Sequence, residues 1–379
     1  MKPLIQDTYK MECGDSATHY LWDEDGMVLV MRMGRGIKRQ EFEVCDFDVR
    51  QSDKYSGYKS RHIRNPIFFD NSRINAEAGL GLNDFFTGRA LFNIDLLIDR
   101  ILMEPGHLRE PLMLTLTAAV GQMSKMVFAI SERGKNGGRG ANVGVQVGSW
   151  AIGFWRPELH FEISVWNCFF NKGSALLRAL EREDNQKTFP LCNDYKSLAQ
   201  NEEPSALLVQ GCAVDFIESL ADSSIKLLIT DPPHSDRMPY LELSELWNSI
   251  LGVIPDFDKE IVVSNARQRG KGQISYGDNL NRFFTKIGPK LKDDGFVAVM
   301  FNARRNVCWE GLHPSHGSGD SGLRYIGRFP MVYSAGSLVQ DNRKGSLKHD
   351  FVLIYVKTEN TTIPKVFEEI PGWSTEFPV

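Results

Sequence analysis

The chain has 379 residues, 42% hydrophobic and 24% charged, with a net charge of −4 and a pI of about 6.1. This is globular composition with length for about two domains, and it excludes a disordered chain and one that is basic throughout. Six cysteines (Cys13, Cys45, Cys168, Cys192, Cys212 and Cys308) form no Cys-x-x-Cys pair, so they read as reduced thiols of a cytoplasmic protein without a metal site.

Residues 1–20 read as an irregular or partly helical lead-in, with no apolar core of signal-peptide length after Met1-Lys2-Pro3-Leu4. Residues 27–33 are strand-like. A basic stretch follows: Arg32, Arg35, Lys38 and Arg39, then Arg50, Lys54, Tyr55, Tyr58, Lys59, Arg61, His62 and Arg64. Glu41, Glu43, Asp46, Asp48 and Asp53 balance its first part, which reads as a solvated loop. No acid follows Asp53 as far as Arg64, so this part reads as a nucleic-acid contact, with cations on phosphates and tyrosines against bases or sugars.

Asp84 is placed to cap a helix through Phe85, Phe86, Leu91, Ile94, Leu97, Ile98 and Ile101, ended by Pro105-Gly106. Residues 112–130 are apolar over about the length of a membrane span. Thr115, Thr117, Gln122, Ser124 and Lys125 interrupt them, and a lysine near a bilayer centre is costly. A buried bundle helix is expected there, with no membrane partner. Residues 133–140 are glycine-rich and carry Arg133, Lys135 and Arg139; they suit a phosphate contact or a plain linker. Residues 150–166 are rich in aromatics, and 166–180 read as a helix.

Residues 187–203 form a polar connector, the main expected boundary. After it, strands and helices alternate. Residues 206–210 read as a strand ending in Gly211-Cys212, 215–220 as a helix, and 225–230 as a buried parallel strand that runs into Asp231-Pro232-Pro233-His234. A helix through Leu243, Leu246, Trp247, Ile250 and Leu251 follows. Then come a strand-like piece at 261–264, a helix at 279–291, a strand at 296–301, a helix at 306–312, and strands at 325–332 and 351–356. The expected organisation is a mixed, mainly helical region over 1–186, a doubly wound α/β domain over 204–360 and a loose tail over 361–379.

A carboxylate at the end of a parallel strand stands where open α/β sheets bind ligands. The strand followed by Asp231-Pro232-Pro233-His234 resembles the catalytic loop of the amino methyltransferases, which methylate exocyclic amines of adenine or cytosine in DNA. There the fourth residue is usually tyrosine. Tyr240-Leu241-Glu242-Leu243-Ser244-Glu245-Leu246-Trp247, Lys259-Glu260 with Asn265, Leu291-Lys292-Asp293-Asp294-Gly295 and Trp309-Glu310-Gly311-Leu312 are similar to motifs of a group of large adenine-specific DNA methylases. Residues 82–180 look like the helical insertion of that group.

The resemblance implies an α/β fold with the later strands of a Rossmann-like methyltransferase sheet, S-adenosylmethionine as cofactor, DNA as partner, adenine N6 as target and a place in restriction–modification. The Phe-x-Gly-x-Gly cofactor loop of the group has no counterpart in residues 1–83, and Phe170-Asn171-Lys172-Gly173-Ser174 lacks its second glycine. A second polypeptide that carries the loop, a truncated sequence or a differently built pocket is therefore expected.

On this resemblance, the Asp231 carboxylate and the Pro232 carbonyl accept the two N–H bonds of the target amine, so that its nitrogen can pyramidalise and attack. Pro233 fixes an extended backbone at Pro232. The His234 ring stacks on the extruded base, and Tyr240 is a second platform. A protonated His234 would repel a cationic sulfonium, so activity is expected to fall at low pH. Arg237 contacts the substrate backbone or pairs with Asp236, while Lys54, Arg61 and Arg139 meet phosphates. Gly211 and Cys212 border the cofactor or are a simple strand exit. His313, His316 and His349 lack metal-ligand spacing. The competing expectation is a catalytically inactive DNA-binding homologue without its own cofactor site.

Overall fold

The computed structural model describes residues 9–10, 16–34, 37–130, 145–150, 153–181, 189–234, 238–303, 306–313, 321–331, 350–357 and 364–378. The chain divides into two units: residues 1–186 with 241–255, and residues 187–240 with 256–379.

The first unit begins with strands: residues 16–20, expected as part of a lead-in, are already extended, and residues 27–33 lie in a strand as expected. β1 (Tyr9–Lys10), β2 (Ser16–Asp23), β3 (Gly26–Gly34) and β4 (Ile37–Phe42) run antiparallel in that order. β-Branched and aromatic residues favour this half-buried pleat. After α1 (Asp46–Asp53) and α2 (Leu82–Phe85) come α3 (Gly88–Leu102) and α4 (Gly106–Val120). β5 (Ala129–Ile130) pairs with β6 (Gln146–Val147), and β7 (Leu159–Glu162) joins β2 as the fifth strand of the first sheet. α5 (Val165–Leu180) follows, as the periodicity of 166–180 predicts. The pairing of β2 with β7 spans a sequence gap that local periodicity does not report.

α3 buries Leu91, Ile94, Leu97, Ile98 and Ile101, the stripe read from the sequence. Its cap differs. The Thr87 hydroxyl accepts from the Ala90 N–H at 3.1 Å, while the Asp84 carboxylate accepts from Gly81 N–H one turn earlier. The next helix ends at Val120 rather than running to residue 130. There the Lys125 ammonium donates to the Asn83 carbonyl at 3.0 Å, which accounts for a cation within an apolar run. No helix among the described residues is long and apolar enough to cross a membrane.

The second unit contains α6 (Tyr195–Gln200), α7 (Ala213–Ser219) and β8 (Ile225–Thr230). The chain then forms α8 (Tyr240–Leu243) and α9 (Glu245–Leu251), and Leu246 and Ile250 of α9 enter the core of the first unit. Thus residues 241–255 leave the α/β unit, which the sequence reading kept continuous. α10 (Gln273–Ile287), β9 (Leu291–Phe301), α11 (Asn306–Glu310), β10 (Leu323–Pro330) and β11 (Phe351–Lys357) complete the second unit.

Its sheet has the order β10–β11–β9–β8, with β8 parallel to β9 and the other pairs antiparallel. The unit is thus mixed α/β, as expected. Tyr276, Leu280, Phe283, Phe284 and Ile287 of α10 cover one face together with Val297, Val299 and Phe301. On the other face, Phe367 and Trp373 pack against Phe296, Ala298, Val352 and Ile354. Over residues 364–378 the expected loose tail is therefore a packed segment, tied to β10 by hydrogen bonds between Arg328 and Ser374. The strand-like residues 261–264 form no named strand; Val262 is simply a buried residue of an irregular segment.

Candidate active site

β8 ends at Thr230, and the two prolines that follow Asp231 prevent further ladder donation because neither has an N–H. Asp231 thus stands at the carboxyl end of a parallel strand, beside the end of β9. Its carboxylate is 64% exposed. The His234 Nε2 lies 3.0 Å from Asp231 Oδ1, so the loop folds back on its own carboxylate.

Two buried aromatics hold this turn. The Tyr276 hydroxyl donates to the Pro233 carbonyl at 2.5 Å. Tyr276 lies on α10 and is fully buried, so the bond anchors the loop to the core. The His234 ring meets Phe301 edge-on, with centroids 5.4 Å apart. Phe301 is the last residue of β9 and is itself braced by Trp309, at 5.0 Å and perpendicular. Pro232, next to the exposed Asp231, is buried. The sequence reading missed both Tyr276 and Phe301. Phe301 was legible as the end of the neighbouring strand; nothing in Ile274-Ser275-Tyr276-Gly277 distinguishes Tyr276 from an ordinary core residue.

Gly211 and Cys212 require correction. Residues 206–210 are not a strand. Ala206 makes an isolated bridge to Leu191, and Leu208 and Val209 are exposed. Cys212 is the residue before α7, so the pair sits at a helix entrance rather than a strand end. The apolar run Ala206-Leu207-Leu208-Val209 misled because composition does not say whether a partner strand exists. Nearby, Lys259 and Asp215 pair at 2.6 Å; that hydrogen bond lowers the Asp215 pKa and raises that of Lys259.

The cationic stretch of the first unit has acidic partners from elsewhere in the chain. Arg61 pairs with Asp99 at 2.6 Å, and His62 lies 2.6 Å from the other oxygen of Asp99. Arg64 reaches both oxygens of Glu245, at 2.6 and 3.1 Å. The Tyr58 hydroxyl and the Arg61 N–H both donate to Asp95. Acids from α3 and α9 thus pair with cations of a segment whose own sequence lacks acids, while Lys54, Lys59 and Arg61 stay exposed. Lys54 is exposed, with its ammonium over the Tyr55 ring at 5.5 Å. Tyr240 is an exposed first residue of α8. Arg237 and Arg139 lie outside the described residues. The structure thus brings Asp231, Pro232, Pro233 and His234 together, and assigns Lys54 and Arg61 to the other unit.

No protein-family model matches this chain, and no curated protein matches it. Among the described residues, no group of three or more His, Cys, Asp and Glu side chains is arranged to hold a metal ion.

Proposed function

We propose that this chain methylates an exocyclic amine of a DNA base, adenine N6, with S-adenosylmethionine as methyl donor. The observation that carries the reading is the exposed Asp231 carboxylate at the carboxyl end of β8, on a turn clamped from below by Tyr276 and Phe301. A parallel pair, β8 and β9, continued by the antiparallel β11 and β10, also agrees with the later half of a Rossmann-like methyltransferase sheet.

The residues present fit the amine half of this reaction. An aromatic amine is a poor nucleophile because its lone pair is delocalised into the ring. Asp231 accepts one N–H and the Pro232 carbonyl the other, which favours a pyramidal nitrogen and stabilises its developing positive charge. Fixed acceptors need no reorganisation as that charge grows, and the clamp from Tyr276 supplies the fixity. His234, at hydrogen-bond distance from Asp231, stands beside the route by which the amine proton leaves. S-adenosylmethionine supplies an electrophilic methyl group on a cationic sulfur. Of the residues expected to border it, Gly211 is exposed at the entrance of α7, with open space around it.

That last observation favours a second reading, a DNA-binding homologue that does not bind the cofactor. Calorimetry with S-adenosylmethionine, with and without a DNA duplex, separates the two, followed by transfer of labelled methyl groups to DNA. The first reading requires saturable binding and a product that Asp231→Ala abolishes while DNA binding persists. DNA binding without cofactor binding or transfer would establish the second.

A further inference from the structure

A pocket of about 360 Å³ opens in the first unit, between the β2–β3 turn, the end of α1, the entrance of α3 and β7. Trp22 of β2 and His160 of β7 are cross-strand neighbours, and both line it. Their rings are parallel to within 5°, with centroids 6.5 Å apart. The indole is fixed in place by its N–H, which donates to Glu162 Oε2 at 3.1 Å.

His160 is 4% exposed, and buried polar atoms are normally hydrogen-bonded. Its Nδ1 lies 3.1 Å from the Glu158 carbonyl, which also accepts from the Glu24 N–H at 3.0 Å. A carbonyl only accepts, so Nδ1 carries the hydrogen and Nε2 presents a lone pair. Burial lowers the pKa of the ring, which keeps it neutral. Among the described residues this Nε2 is buried and has no partner. With Nδ1 held to the backbone, Nε2 is the polar atom that the side chain offers the pocket. Glu24, Asp25 and Asp53 line the same pocket. They are exposed, and among the described residues their carboxylates make no hydrogen bond or ion pair. Lys125, the cation of the lining, already donates to the Asn83 carbonyl at 3.0 Å.

We propose that this pocket binds a small organic ammonium ion, which donates an N–H to His160 Nε2 and sets its charge among Glu24, Asp25 and Asp53. A neutral acceptor beside three acids selects a ligand that is both a donor and a cation. An anion would meet the three carboxylates at close range. A bare metal ion is not favoured, because among the described residues no His, Cys, Asp and Glu side chains are grouped as metal ligands. The Trp22 indole adds a ring against which an ammonium is held by cation–π attraction. A pocket of this volume takes a small molecule, and three acids against one cation suit a doubly charged diamine. The site lies wholly in the first unit and is independent of methyl transfer by the second.

The test is calorimetry of the full chain with diaminobutane as the probe, together with nitrogen NMR of protein labelled at histidine. Binding should be saturable, and the His160 Nε2 resonance should move as the lone pair accepts a hydrogen bond. The bis-quaternary analogue, with every N–H replaced by a methyl group, carries the same charges. It should bind about thirtyfold more weakly, the scale of one hydrogen bond to a charged group. His160→Phe keeps a ring beside Trp22, identifies the resonance by its loss and should weaken the diamine by about the same factor. Asp25→Asn with Asp53→Asn should weaken it about tenfold, the scale of two exposed charge pairs. Both positions are exposed, so this double variant should melt with the parent. If His160→Phe does not fold, the analogue and the double variant decide. An analogue that binds as tightly as the diamine, an unmoved His160 resonance, an affinity untouched in the double variant, or no saturable binding overturns the proposal. So does saturable binding of inorganic phosphate that moves the same resonance, which would assign the pocket to an anion held by Lys125.

Discussion

The Tyr276 hydroxyl donates to the Pro233 carbonyl at 2.5 Å, from a side chain buried on α10. One bond thus couples the core of the second unit to the turn that presents Asp231. Tyr276→Phe removes the donor and leaves a partly buried carbonyl unsatisfied, at a cost of about 1–3 kcal/mol. On the proposed function, methyl transfer should fall about tenfold for a shift of that size. Single-turnover transfer and a melting curve check this. Unchanged transfer in a folded variant would mean that the turn is held by other contacts.

His234 has two separable properties, a ring against Phe301 and a nitrogen 3.0 Å from Asp231. His234→Phe keeps the ring and removes the nitrogen; His234→Ala removes both. If the ring is the base platform, His234→Ala should weaken productive DNA binding by about 1–3 kcal/mol, the scale of one stacked base, and His234→Phe should preserve it. The half-saturating DNA concentration reports this. Equal losses in both variants would assign the role to the nitrogen.

The first unit should lose stability in mild acid. Burial lowers the His19 pKa from 6.5 to about 4. The unfolded chain therefore binds the proton more readily. Stability is fully present above about pH 6.5 and is lost progressively as the pH falls towards 4, by about 3 kcal/mol in all. His160, also lowered chiefly by burial, acts in the same direction. His19→Asn cannot gain the charge, so its melting temperature should fall less between pH 7 and pH 4.5. An acid profile as steep as that of the parent would rule His19 out as the source.

Arg89 and Glu162 form a buried ion pair, 4% and 6% exposed, with two hydrogen bonds of 2.7 and 2.8 Å. The Arg89 guanidinium also lies 3.9 Å from the centre of the Tyr20 ring. Arg89→Ala strands a buried carboxylate and should cost about 3–5 kcal/mol; replacing both partners by apolar residues should cost much less. Denaturant unfolding of the two variants tests this. Equal costs would show that packing, and not the unpaired charge, sets the penalty.

Some of this architecture could be read locally. The α3 stripe is visible because five apolar residues at helical spacing bury one face, whatever they meet there. The turn after β8 is visible because proline acts on its own backbone and its immediate neighbour. By contrast, residues 206–210 have strand composition without a strand, and residues 364–378 look like a tail yet place Trp373 on the sheet. In both cases the outcome depends on a partner surface far along the chain.

The sequence by itself determined that Asp231 follows a short apolar strand and is held in a rigid Pro-Pro turn, because those constraints are local and steric. Only the tertiary structure decided that β8 exposes Leu227 and Ile229, and that Arg61 and Arg64 are neutralised by Asp99 and Glu245. Burial and charge compensation are properties of residue pairs, and these partners lie on elements brought together only by folding.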